Sequence, residues 1–163
     1  MPARPIVVHP DCRLRTPSAA VNEFGVELNN LVQDLVDTLN ATATGIGISA
    51  PQIGALQQVL VMDLSPERDT PEIYINPQIL SRSTPALVEE SCLSVPGVVG
   101  NVIRDTELCV EAQDATGKRF KRDLSGMHAV CLQHEVDHLQ GRLFIDRLSF
   151  FRRMLLRLKF RRA

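Results

Sequence analysis

No apolar run in this chain reaches the roughly 18 residues that a membrane-spanning helix requires, so no stable membrane insertion is expected. Behind Met1-Pro2-Ala3-Arg4-Pro5 there is no apolar stretch of signal-peptide length. Secretion is therefore not expected. The expected location is the cytoplasm, with an organelle left open, and the four cysteines are expected to be reduced. No repeat, linker or low-complexity segment interrupts the 163 residues, a length that favours one domain over 1–163 with room for a sizeable core. Net charge is also nearly absent, since 18 Lys+Arg against 19 Asp+Glu leave −1. With 44% hydrophobic and 23% charged residues, the composition excludes wholesale disorder and a collagen-like repeat.

The near-neutral total hides a division. Residues 147–163 hold Arg147, Arg152, Arg153, Arg157, Lys159, Arg161 and Arg162, seven cations with no acid. The remainder carries 11 basic and 19 acidic residues, or −8. Phe151, Met154, Leu155 and Leu158 recur at helical spacing in the same stretch, so it reads as a short basic amphipathic C-terminal helix. Its apolar stripe is expected to dock on the body and leave the cations in solvent. The charge argument against a nucleic-acid partner holds for the acidic body and reverses for these last 17 residues; an anionic membrane surface is the weaker alternative for them.

Elsewhere the pattern predicts helices and short strands. Pro5, Pro10 and Pro17 keep residues 5–20 irregular. Leu28, Leu31, Val32, Leu35, Val36 and Leu39 predict an amphipathic helix over 22–39, with Asn22 as N-cap and Thr42–Gly45 as its stop. Gln58–Leu64 reads as a buried strand. Glu72–Ile75 and Gln78–Ser81 read as two short strands about an Asn76-Pro77 turn. Leu108–Ala112 and Arg119–Lys121 flank Asp114-Ala115-Thr116-Gly117 as a hairpin. A second helix is expected over 124–140, stopped by Gly141, and a third from Ser149. One helix, then strands, then helices predicts an α+β fold: short antiparallel or mixed sheets around a central helix, with helices at both ends.

That central helix carries chemistry. In His134-Glu135-Val136-Asp137-His138 the two histidines lie four apart, about 40° apart on one helical face, so both imidazoles can reach one metal ion. Glu135 between them is placed to handle a proton of a water on that ion. Cys131, His134, Glu135 and His138 share one side; Ala129, Leu132, Val136 and Leu139 share the opposite side, as if the helix were wedged between a site and a core. A histidine pair on a helix can also be a solvated or hydrogen-bonded face; the apolar stripe opposite favours the metal. No Glu follows His138, and Phe144 stands where one class of zinc protease has its third histidine, so the third ligand is sought upstream. Cys92, in the polar segment Glu89–Gly97, is the candidate: a thiolate and two imidazoles leave one open position on a tetrahedral ion. Cys12 lies in a proline-bounded loop, and Cys109 and Cys131 read as packing residues.

Three segments resemble the motifs of the peptide deformylases, in the family's order. Gly45-Ile46-Gly47-Ile48-Ser49-Ala50-Pro51-Gln52 resembles G-x-G-L-A-A-x-Q, Glu90-Ser91-Cys92-Leu93-Ser94 resembles E-G-C-L-S, and Gln133–His138 resembles Q-H-E-x-D-H. The resemblance implies removal of the formyl group from N-terminal formylmethionine of nascent chains by a monomeric enzyme. It implies Cys92, His134 and His138 as metal ligands, Glu135 as general acid and base, and the Gln52 side chain and Leu93 N–H as holders of the oxyanion. Gly45 and Gly47 would let the backbone pass close to metal and substrate, and Glu90 would pair with Arg104. Ile46, Val130 and Cys131 match positions lining the methionine pocket, where plain core packing is an equal reading. The resemblance further implies Fe²⁺, with Zn²⁺ or Ni²⁺ as substitutes, and ribosome docking through 147–163. A zinc peptidase and a deformylase-like protein without turnover are the competing readings. Four features depart from the pattern: Ile48 for Leu, a short last helix, Ser49 for Ala, which adds a hydroxyl needing a partner, and Ser91 for Gly, strained if that position needs a positive φ.

Overall fold

What precedes the first helix delays its start. Ala19 bridges Gln57, and the Asn76 side chain grips Val21 through both its N–H (2.8 Å) and its C=O (2.9 Å). Residues 19–24 are thereby kept non-helical, so Gly25 rather than Asn22 is the N-cap of α1 (Val26–Asn40). The computed structural model describes residues 3–160, so Arg161 and Arg162 of the basic stretch lie outside the described residues. Helix α1 ends ahead of Thr42–Gly45 as expected. Its Leu28, Val32, Leu35 and Leu39 pack on Ile48 of β1 (Gly47–Ser49) and on Val59 and Val61 of β2 (Val59–Met62).

The architecture is α+β. One antiparallel sheet holds five strands in chain order, continuing through β3 (Glu72–Cys92), β4 (Val95–Gln113) and β5 (Arg119–Ser125). Glu72–Ile75 and Gln78–Ser81 are parts of one 21-residue strand rather than two strands about a turn. Asn76 takes a φ of +50°, and the register shifts between Ile75 and Gln78, so the break is a bulge. Pro77 lacks an N–H and sits where the ladder is already interrupted. The Asn76 side chain, tied to Val21 and to Gln113 (2.8 Å), holds the bulge, and the chain keeps its direction as far as Cys92. The Asp114–Gly117 hairpin forms as expected, with Gly117 at φ +86°.

Helix α2 (Gly126–Leu139) starts two residues later than expected because Leu124 is still paired with Leu108 across β5 and β4. Ala129, Leu132, Val136 and Leu139 face a core of Leu60, Met62, Tyr74, Leu108 and Val110. Each large apolar side chain so buried contributes about 1.5–3 kcal/mol, which holds the helix from behind its reactive face. Gly141 ends the helix with φ +70°.

Helix α3 (Phe150–Phe160) departs from expectation. Phe151 is 72% exposed and Leu155 62%, and Met154 and Leu158 are exposed too, so this stripe does not dock. The contact is made by Leu148, buried just ahead of the helix, by half-buried Leu156, and by Arg152, which donates to the Val99 carbonyl (3.2 Å). The helix therefore presents apolar side chains to solvent together with Arg152 and Arg153, while the side chains of Arg157 and Lys159 lie outside the described residues. Among the described residues, no helix is long and apolar enough to cross a membrane.

Candidate active site

Cys92 arrives from the end of β3, and His134 and His138 from successive turns of α2. Strand order places that strand end over the helix face, and the Cys92 Sγ lies 3.2 Å from His138 Nε2. One donor atom from each of the three residues lies within 4.8 Å of the other two. Sulfur and nitrogen ligands on a shared tetrahedral ion would stand about 3.5 Å apart, so the set is compact enough to close on one. One thiolate and two imidazoles suit a borderline divalent metal rather than Mg²⁺ or Ca²⁺. The residues therefore fit a metal ion.

Behind the donors runs a chain of buried charges. His134 Nδ1 meets Glu90 Oε2 at 2.8 Å, which leaves Nε2 for a ligand and fixes the ring. Glu90 receives Arg104 through two bonds (2.6 and 3.1 Å), and Arg104 spans to Asp137 (2.6 Å). Asp137 in turn holds Arg147 (2.6 and 2.7 Å). Arg104 is only 1% exposed, so this network has little water to fall back on. Burial alone would raise the Glu90 and Asp137 carboxyls, but bonds from His134 and Arg104, and from Arg147 and Arg104, hold both below the usual carboxylate range. The Phe144 ring stacks on His134, with centroids 6.1 Å apart, and packs against that imidazole.

Glu135 is the exception among these acids. It is 3% exposed, and burial pushes its carboxyl up to about 7, against the opposing charge of His134. Its Oε2 is buried with no hydrogen-bond partner in the protein, so an acceptor is held ready on the wall of the site. A carboxyl with a pKa near neutrality can both take and return a proton at physiological pH.

Gln52 sits on the 3-10 turn Ala50–Ile53, and Ser49 sets which way its amide points. The Ser49 N–H (2.9 Å) and hydroxyl (3.0 Å) both donate to Gln52 Oε1. The amide nitrogen must then face the opposite way, towards Ser94 Oγ (3.2 Å) and Cys92 Sγ (3.9 Å). The extra hydroxyl of Ser49 is thus satisfied. Ser91 is not among the residues with positive φ, so its side chain brings no backbone strain.

These groups line a cavity of about 490 Å³. Gly45, Ile46, Gly47, Gln52, Glu90, Cys92, Leu93, Val130, Cys131, His134 and Glu135 all reach it, while Arg104 lies behind Glu90 and His138 behind Cys92. A Cβ on Gly47 would stand 2.7 Å from Cys131 Sγ and 2.9 Å from Glu135 Oε1, so any larger residue there would displace one of these side chains. Sequence reasoning missed Met127, Val98 and Val99 at the cavity wall, and Asp137 with Arg147 behind it. Met127 precedes Val130, Cys131 and His134 by three, four and seven residues, a same-face spacing that contained the signal. Val98 and Val99 carried no such signal.

The polypeptide deformylase family model matches residues 3–154. Peptide deformylase 2 of Vibrio cholerae is 45% identical over 144 residues, covering 88% of this chain and 85% of the relative. Peptide deformylase of Chromobacterium violaceum is 38% identical over 157 residues, covering 96% and 93%. The crystal structure of a peptide deformylase from Legionella pneumophila superposes with a TM-score of 0.91 at 40% identity, covering 98% of this chain and 96% of that one. With its metal-competent Cys92, His134 and His138 set and these matches along nearly its whole length, the chain belongs to the polypeptide deformylase family.

Proposed function

We propose that this chain hydrolyses the N-formyl group from the formylmethionine that begins nascent polypeptides, releasing formate and a free amine. The observation that carries this reading is the meeting, in one cavity, of a compact Cys92–His134–His138 donor set with the buried acceptor of Glu135 and the oriented amide of Gln52. Cys92, His134 and His138 would hold one divalent ion, which when bound supplies Lewis acidity to water and to the formyl carbonyl. Glu135 takes the proton of the attacking water on Oε2 and delivers it to the leaving amine nitrogen. Gln52 Nε2 and the Leu93 N–H donate to the oxyanion, and such preset donors are commonly worth about 3 kcal/mol each. Ile46, Val130 and Cys131, with Met127 beside them, receive the methionine side chain. Gly45 and Gly47 let substrate backbone pass close to the reacting centre. Glu90 and Arg104 keep His134 aligned.

The finer assignments belong to the same proposal. Fe²⁺ is the native ion, with Zn²⁺ and Ni²⁺ able to substitute. The enzyme works as a one-domain monomer in the cytoplasm. The exposed face of α3, with Arg152 and Arg153 beside Phe151 and Leu155, docks on the ribosome, where its substrates emerge. The test is formate release from formyl-Met-Ala-Ser by metal-reconstituted protein, run beside an unformylated peptide. Formate from the first and no cleavage of the second supports the reading. Cleavage of internal peptide bonds would return the site to a peptidase, and no turnover of either would overturn the proposal.

A further inference from the structure

Arg68 lies outside the cavity, and no motif contains it, yet it reaches more backbone carbonyls than any catalytic group described above. Its guanidinium donates to the carbonyls of Leu39 (3.0 Å), Thr42 (2.6 Å) and Gly45. Two of these lie at the C-terminal end of α1 and just beyond it, where the helix dipole is negative; the Leu39 carbonyl also accepts from the Thr42 N–H (3.0 Å) and hydroxyl (2.7 Å), so Arg68 adds a cation to an end already capped. The last turn of α1 has no basic residue of its own, so Arg68 brings the cation from 29 residues away. The third is the carbonyl of a glycine in the cavity wall.

The loop that carries Arg68 is built for the purpose. Arg68 takes a φ of +56°, which a residue with a side chain adopts only against a cost that other contacts offset. Asp63 closes the loop by accepting from Ser65 N (2.9 Å), Ser65 Oγ (2.6 Å) and Thr70 N (3.1 Å). The Asp63 N–H donates to the Ile46 carbonyl (2.9 Å), one residue beyond the glycine that Arg68 holds. Gly45 is held from its other side by Thr42 Oγ1, which accepts its N–H (3.1 Å). Thr44, Gly45, Ile46 and Gly47 all line the cavity, so the loop supports that wall from behind.

We infer that Arg68 is a positioning residue for substrate, holding the Gly45–Ile46 wall through a fork of carbonyl bonds. It neither lines the cavity nor contacts the metal donors, so its loss acts on binding more than on the chemical step. Lysine keeps the charge but not the planar fork, and cannot serve three carbonyls in fixed directions. The inference rests on the deformylase reading, and the experiment separates the two. If wild type releases no formate, the functional reading falls; if wild type is active and the variants match it, this inference falls alone.

The experiment is steady-state deformylation of formyl-Met-Ala-Ser by wild type, Arg68→Ala and Arg68→Lys, at temperatures where each is folded. Arg68→Ala is expected to raise KM about tenfold with kcat within about threefold. Millimolar guanidinium is expected to restore much of the lost KM, a rescue that generalised destabilisation would not show. Arg68→Lys is expected to fall between the two and remains the test if the alanine variant does not fold. Amide exchange across 41–46 is expected to accelerate in either variant while β3 and β4 keep their protection. A KM unchanged in both variants, or a loss of kcat in proportion to unfolded protein with no guanidinium rescue, would overturn the inference.

Discussion

Replacing Gly47 by alanine adds one methyl group at the closest approach of backbone to the proposed base. The new Cβ would lie 2.7 Å from Cys131 Sγ, 2.9 Å from Glu135 Oε1 and 3.1 Å from Glu135 Cγ. Ordinary contact begins at 3.4 Å, so the neighbours must yield by about 0.5–0.7 Å. Cys131 is packed in the core, and Glu135 can yield only by swinging its carboxylate into the cavity, away from where it would handle the proton. Overpacking of this kind costs about 1–3 kcal/mol of stability. The larger effect falls on the reaction, because displacing a reacting group by the better part of an ångström costs about 10²-fold in rate. The assay is kcat and KM for formyl-Met-Ala-Ser together with a thermal melt. Adding Cys131→Ala removes the nearest obstacle, so the double variant should be more stable than the single effects together predict. It should nevertheless stay slow, because the carboxylate clash remains. A Gly47→Ala enzyme within threefold of wild type would refute the reasoning that this glycine exists to admit Glu135.

Other perturbations act at a distance from the donors. Arg104→Met leaves Glu90 and Asp137 buried without their shared cation, and should cost about 3–5 kcal/mol, or roughly 10 °C in Tm; a melt within 2 °C of wild type, roughly 0.5–1 kcal/mol, contradicts the network. Ser49→Ala removes one of two donors on Gln52 Oε1 and should lower kcat about fivefold, equivalent to about 1 kcal/mol, with KM unchanged; stopped assays at saturating substrate decide this. Acid should find Asp63. Burial raises its carboxyl, but bonds from Ser65 and Thr70 outweigh that and hold it below its ordinary value. A depressed folded pKa gives stability that is present above the unfolded value of about 3.9 and is lost as pH falls through the folded one. Melts from pH 6 to below 3 should therefore show a steeper decline for wild type than for Asp63→Asn, and parallel curves would count against this assignment.

The α2 helix was legible in the sequence because its chemistry and its packing share one period. His134 and His138 repeat every four residues, and Leu132, Val136 and Leu139 repeat on the opposite face. Cys92 was legible by elimination and through its polar neighbours. The continuity of β3 was not, because Asn76-Pro77 has the local chemistry of a turn and only the distant partners Val21 and Gln113 make it a bulge. The orientation of α3 was illegible for a related reason. Periodicity reveals that a stripe exists, not whether the body offers a surface to receive it, and here Leu148 and Leu156 occupy that surface instead. Arg68 was illegible because its three close acceptors are backbone carbonyls, which leave no mark in residue types. Ser49 was legible as a departure, but its partner became clear only when β1 and the following turn brought Gln52 over it.

The most direct measurement of the central claim is formate release by protein reconstituted with a single divalent metal, compared with Glu135→Ala carrying the same metal content. The account predicts that both bind the ion through Cys92, His134 and His138, and that wild type deformylates formyl-Met-Ala-Ser while the variant loses at least about 10³-fold in kcat. A variant that binds metal and retains its turnover would contradict it.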